Sequence, residues 1–169
     1  MKTLIIYASK TGTTEKCAKE INRQLKDSKI VNILNQNEDI NKYDLIVIGT
    51  PIRMGMIDKK IKKFLINNIE NLKSKKVAYF ICCGFNENWK SYYEQNIPKD
   101  LLDTAIIYDT FGGEMDIQKQ KGFDKFITKM VSKNIDKNKE IKILNENIDR
   151  FIKVLNSEKL QYIGLIISW

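Results

Sequence analysis

With 169 residues, 43% of them hydrophobic and 30% charged, the chain has the size and balance of one globular domain, which excludes a disordered, collagenous or disulfide-dense class. Histidine is absent, so His-based proton transfer and His-ligated zinc are excluded with it. The formal net charge of +8 is almost all lysine, interleaved with asparagine and isoleucine along the whole chain, and a nucleic acid is not the expected partner. In chain order, strand-length apolar runs rich in β-branched residues occupy Thr3 to Ala8, Ile30 to Leu34, Asp44 to Gly49, Lys76 to Cys83 and Thr104 to Phe111. No charged region or cleavage site precedes the first run, so no export signal is expected and a cytoplasmic location is. Between the runs lie helical patterns. Cys17, Ala18, Ile21 and Leu25 share one face, as do Ile57, Ile61, Phe64, Leu65 and Leu72, and later Ile141, Leu144, Ile148, Phe151, Ile152 and Leu155.

Alternating strands and helices, with runs apolar on both faces, predict an α/β fold: a three-layer, doubly wound, five-stranded parallel sheet. Ligands of such sheets bind at the carboxyl ends of the strands, which singles out Ser9 to Thr14, Thr50 to Asp58 and Gly84 to Trp89. Cys17, Cys82 and Cys83 have no metal-type spacing, and neighbours in one strand face opposite ways, so neither a metal site nor a disulfide is expected.

The first loop, Ser9-Lys10-Thr11-Gly12-Thr13-Thr14, runs from a strand into a helix, where free backbone N–H groups and the positive helix end converge on an anion. It carries one glycine, too few for the dinucleotide G-x-G-x-x-G, and lacks the G-K-[ST] of the nucleoside-triphosphate loop. Four hydroxyls and a turn-forming glycine suit the three oxygens of one terminal phosphate. The plainer reading is a capped helix with Thr14 as N-cap.

The stretch T-L-I-I-Y-A-S-K-T-G-T-T-E resembles the opening of flavodoxins, whose corresponding loop holds the phosphate of FMN. The second loop, G-T-P-I-R-M-G at 49 to 55, is similar to a segment of the flavodoxin-like, menaquinone-linked protoporphyrinogen dehydrogenases of haem synthesis. The stretch from Phe111 to Val131 is similar to the insertion of that subgroup, and the resemblance extends from residue 1 to about 156. It implies an FMN-binding domain over 1–157 with a helical insertion near 112–134, followed by an apolar tail at 158–169. The implied activity is oxidation of protoporphyrinogen IX or a similar reduced substrate with a quinone as acceptor; the alternative is a carrier that exchanges electrons with a redox protein. Charge favours the first, because carriers of the family usually present an acidic face and this chain is basic.

Cofactor contacts are expected from Ser9, Lys10, Thr11, Gly12, Thr13 and Thr14 at the phosphate, and from Thr50, Pro51, Ile52, Arg53 and Met54 beside the ring. Cys83, Gly84, Phe85 and Asn86 are expected at its polar edge. Ile52 and Met54 offer apolar faces, and Arg53 offers a cation to the reduced flavin or a substrate carboxylate, or else a plain surface charge. No catalytic side chain and no metal is expected, since the flavin supplies the chemistry. In the insertion, Lys121, Lys125 and Lys129 recur every fourth residue beside an apolar face of Phe123, Phe126, Ile127, Met130 and Val131. A one-sign stripe of this kind suits an acidic apolar substrate or a peripheral contact with the inner face of the membrane, or is a solvated face. The apolar tail from Leu160 to Trp169 is too short for a membrane span and leaves self-association open.

Overall fold

The computed structural model describes residues 1–84, 87–114 and 141–167, with 162–167 described as backbone only. Phe85, Asn86, the lysine stripe at Lys121, Lys125 and Lys129 with its apolar face, and Ser168 and Trp169 lie outside the described residues. The elements are β1 (Thr3–Tyr7), α1 (Thr13–Gln24), β2 (Ser28–Asn32), a single 3-10 turn (Ile40–Lys42), β3 (Leu45–Pro51), α2 (Lys59–Asn67) and α3 (Ile69–Lys73). They continue with β4 (Lys76–Cys82), α4 (Trp89–Asn96), α5 (Lys99–Asp103), β5 (Ile107–Thr110) and α6 (Asn145–Ile167). The five strands form one parallel sheet in the order β2-β1-β3-β4-β5.

Side-chain alternation divides the core between the two faces of the sheet. Leu4, Ile6, Ile46, Ile48, Val77, Tyr79 and Ile81 point to one side, where Ile61 and Leu65 of α2, Leu72 of α3, Tyr93 of α4 and Leu101 of α5 cover them. Ile5, Tyr7, Leu45, Val47, Ala78, Phe80 and Cys82 point to the other side, against Cys17, Ala18 and Ile21 of α1 and Ile148, Phe151, Ile152 and Leu155 of α6. The adjacent Cys82 and Cys83 fall on opposite sides, as strand geometry demands.

Several boundaries differ from expectation for local reasons. The apolar face expected to run through Leu72 is split, because Asn68 leaves helical geometry and its side chain donates to the Phe64 carbonyl at 2.8 Å, ending α2 before α3 starts. The last strand starts at Ile107 rather than Thr104, since α5 extends to Asp103 and the Thr104 hydroxyl donates to the Asp100 carbonyl at 3.0 Å. β2 is displaced toward the amino terminus: the Asn32 side chain accepts from Leu34 N–H at 3.1 Å and turns the chain out of the ladder. α6 starts at Asn145, after Ile141 and Leu144, and continues to Ile167.

The interior also fixes a pH dependence. Burial, after a hydrogen bond with Cys17 in the case of Cys82, holds the thiols of Cys82 and Cys83 and the hydroxyls of Tyr79 and Tyr93 above their ordinary ranges. Each is an acid with a raised folded value, so its contribution is complete below the unfolded value and is lost as pH rises toward the folded one. The unfolded chain sheds these protons from about pH 8.5 for thiols and about pH 10 for phenols. The melting temperature is therefore expected to hold level below pH 8 and fall by several degrees between pH 8.5 and 11. A thermal denaturation series across that range checks it, and a level profile would contradict it.

Candidate functional site

Four segments meet at the carboxyl edge of β1, β3 and β4. The first leaves β1 at Ala8, whose N–H donates to the Gly49 carbonyl of β3 at 3.1 Å, so the loop departs directly beside the loop from β3. Gly12 takes φ of 99°, which only glycine adopts freely, and an added Cβ there would meet nothing within 4 Å. It is the N-cap of α1, and no side chain makes a capping hydrogen bond. The capped-helix reading with Thr14 as N-cap is thereby corrected: Thr14 is the second helical residue, is 1% exposed, and turns its hydroxyl to the Cys82 thiol in the core. Ser9, Thr11 and Thr13 line the loop half-buried, Lys10 stands exposed, and the Ser9 Oγ accepts from Gly12 N–H at 3.1 Å. The result is a twelve-residue helix whose first-turn amides lack a side-chain cap and whose N-terminus is ringed by hydroxyls. That donor set is complementary to a phosphate.

The second segment is a tight hairpin. Arg53 N–H donates to the Met56 carbonyl at 2.9 Å and Met56 N–H to the Arg53 carbonyl at 3.0 Å, closing a two-residue turn over Met54 and Gly55. Both central residues are left-handed, at φ 51° and 77°, as a type I′ turn demands. Ile52 is half-buried against the core, its N–H donating to the Cys82 carbonyl at 2.9 Å. The Thr50 hydroxyl, 2% exposed, accepts from Asp58 N–H at 3.1 Å, and the Asp58 carboxylate caps α2 by accepting from Lys60 N–H at 2.8 Å. Pro51 and Arg53 are half-buried, while Met54 and Met56 project, 75% and 47% exposed. A methionine at positive φ costs of order 1–3 kcal/mol. Met54→Gly is therefore expected to stabilise the apo protein by about 0.5–1 kcal/mol, net of the extra chain entropy of glycine, raising its melting temperature by about 1–4 °C.

The third segment follows β4. Cys83 is buried, its N–H donating to the Gly112 carbonyl at 2.8 Å and its sulfur 3.4 Å from the Thr110 hydroxyl. With their thiols buried and shifted upward, Cys82 and Cys83 carry no nucleophile into the site. Cys17 and Cys82 lie sulfur to sulfur at 3.8 Å as free thiols.

Sequence reasoning placed the fourth segment only at the start of the insertion near 112–134 and not at the site. Gly112, at φ 67°, forms an antiparallel bridge with Ile143, Gly113 N–H donates to the Lys142 carbonyl at 3.2 Å, and Leu144 N–H donates to the Phe111 carbonyl at 2.9 Å. Gly113 and Lys142 thus lie together beside the third loop; a Cβ on Gly113 would come within 3.0 Å of the Cys83 carbonyl carbon. Glu114 then pairs with Lys16 of α1 at 2.7 Å, tying this segment to the helix that follows the first loop. The Gly-Gly pair was the available signal. Asn96, whose buried amide grips the hairpin from α4, was also missed, and a polar residue at the end of an aromatic helix left no clear trace in the sequence.

A family model described as the flavodoxin domain matches residues 4–142. The chain belongs to the flavodoxin domain family. Among relatives, the flavodoxin-like domain-containing protein BilS of Clostridioides difficile is 33% identical over 112 residues, which are 59% of this chain and 60% of that protein. A protein named flavodoxin from Clostridium saccharobutylicum is 34% identical over 87 residues, 47% of this chain and 54% of that one. The chain thus matches little more than half the length of each of these curated relatives. Of solved structures, the Lactobacillus acidophilus NCFM flavoprotein in complex with FMN is 27% identical, covering 64% of this chain and 92% of that one, with a TM-score of 0.49. The two-electron reduced flavodoxin of Megasphaera elsdenii is 25% identical, covering 78% and 98%, also with a TM-score of 0.49.

FMN is the cofactor of the flavodoxin domain, and the residues present fit it: uncapped amides and hydroxyls for the phosphate lie one strand away from a loop with apolar and cationic side chains for the ring. Among the described residues of this flavodoxin domain, no helix is long and apolar enough to cross a membrane.

Proposed function

We propose that this chain is an FMN-dependent oxidoreductase that takes electrons from a reduced, flat, carboxylate-bearing substrate of the porphyrinogen type and passes them to a quinone. The supporting observation is the hairpin after β3. It sets Arg53 between Ile52 and the exposed Met54 and Met56, so a cation and apolar side chains stand together next to the phosphate-binding loop. An apolar ring system that carries carboxylates matches both features.

In this reading Ser9, Thr11, Gly12 and Thr13, with the first amides of α1, hold the phosphate of FMN; the flavin supplies the electron chemistry when bound. Pro51, Ile52, Arg53 and Met54 flank the ring, and Cys83 and Gly84 form the backbone wall beneath its edge. Arg53 favours the reduced, anionic form by charge and orients a substrate carboxylate. Thr14 acts through its backbone, because its side chain is buried beside Cys82. Lys121, Lys125 and Lys129 serve as the contact for an acidic substrate or an anionic membrane surface.

The test is an anaerobic assay of FMN-loaded protein with protoporphyrinogen IX and a menaquinone analogue, following porphyrin fluorescence. Porphyrin formation at a rate above free FMN supports the enzyme. One observation favours a second reading, that of a carrier: Met54 and Met56 stand out from the surface, as apolar contacts for another protein do. Reduction and reoxidation by redox proteins without porphyrin formation would select it.

A further inference from the structure

The hairpin at Arg53 to Met56 is held from outside. Its turn places a methionine in left-handed backbone geometry, the Met54 side chain is three-quarters exposed and finds no core contact to offset that, and two backbone hydrogen bonds alone make a marginal hairpin in water. Among the described residues, support comes from a side chain forty residues further along the chain. Asn96, the last residue of α4 and 5% exposed, donates through Nδ2 to the Gly55 carbonyl at 2.8 Å and to the Tyr92 carbonyl at 2.8 Å, and its Oδ1 accepts from Ile57 N–H at 3.2 Å. Both donors and the acceptor of the amide are used. The two bonds to the hairpin bracket Met56, taking the carbonyl before it and the amide after it. The third anchors the amide to its own helix. Since α4 issues from the loop after β4, this one side chain joins two walls of the site.

We propose that Asn96 is a positioning residue of the flavin site: it fixes the hairpin that carries Arg53 and Met54 in a single conformation, and so sets how strongly the site prefers reduced over oxidised FMN. The preference depends on the FMN reading above; the clamp itself does not. A cation held at constant distance stabilises the anionic reduced form more than one that samples several positions, because Coulomb energy falls with distance and with access of water. None of the three bonds of Asn96 reaches the phosphate loop, so oxidised FMN is gripped by its phosphate whether or not the clamp is intact.

Two measurements on Asn96→Ala and Asn96→Asp test this. The first is hydrogen exchange in the full-length apo protein: the Ile57 amide exchanges at least tenfold faster in Asn96→Ala, which removes its acceptor, while amides of β1 and β4 keep their protection. The second is the midpoint potential of the FMN-loaded protein: with oxidised FMN affinity changed less than about threefold, Asn96→Ala lowers the ratio of reduced to oxidised affinity about tenfold, a shift of about 30 mV for a two-electron couple. Asn96→Asp keeps the acceptor for Ile57 N–H and loses the donor to Gly55, so its shift is smaller; it also carries the test should the alanine variant fail to fold. Unchanged Ile57 exchange, or faster exchange spread evenly over the sheet, overturns the clamp. Faster Ile57 exchange with an unmoved potential overturns the positioning role. If wild-type protein takes up no FMN, the role falls with the flavin reading, and the apo exchange result tells that failure apart from failure of the clamp.

Discussion

Thr13→Asp is expected to raise the dissociation constant for FMN about a hundredfold while leaving the apo protein as stable as before or slightly more so. Thr13 is the first residue of α1, next to Gly12 at the uncapped N-terminus. A carboxylate there benefits from the helix dipole by about 0.3–1 kcal/mol when no other anion is near. Against a phosphate about 4 Å away, the same charge is repelled by about 4 kcal/mol at an effective dielectric near 20, and screening at a half-buried position reduces that to the expected hundredfold. Thr13→Asn has nearly the shape of the aspartate without its charge, and its loss is expected to be under tenfold. Flavin fluorescence titrations of the two variants check the pair. Equal losses would mean that shape and not anion binding governs the loop.

The second large effect is structural. Gly49→Ala is expected to cost about 3 kcal/mol, at the upper end of overpacked cores, lowering the melting temperature by about 6–12 °C. Gly49 pairs in register with Phe80 on β4, and an added Cβ would sit 2.1 Å from Cζ, 2.4 Å from Cε1 and 2.7 Å from Cε2 of that ring. The ring has nowhere to turn: it is fully buried, stacks on Phe111 at 4.7 Å between centroids and meets Phe151 edge-on at 6.3 Å. Because the Gly49 carbonyl also accepts from Ala8 N–H, displacement of β3 would reach the phosphate loop, and weaker FMN binding is expected alongside. Differential scanning calorimetry with and without FMN checks both parts.

The layered α/β architecture was legible because its signal is simple. Runs such as Leu45 to Ile48 are apolar on both faces, and the helices between them carry one apolar stripe each, which leaves few folds. The loop between β1 and α1 was legible for a similar reason: a strand, a glycine among hydroxyls and a helix follow one another within a few residues, so the local chain holds the whole pattern. Boundaries were less so, because they turn on single side-chain bonds such as Asn68 to Phe64 or Asn32 to Leu34, which periodicity does not encode. The plainer alternative, Thr14 as a cap, fails because Gly12 takes that place and Thr14 is buried beside Cys82, which is far away in sequence. Asn96 and the Gly112-Gly113 base were hidden for the same reason, for their roles exist only once α4 and β5 are packed against the loops they support.

The central claim is that the start of α1 binds the phosphate of FMN, and it is tested most directly by titrating the apo protein with FMN and with riboflavin, which has the same ring and no phosphate. Phosphate anchoring predicts that FMN binds at least a hundredfold more tightly, a gap that closes in Thr13→Asp. Equal affinity for the two flavins, or no uptake of either, would contradict it.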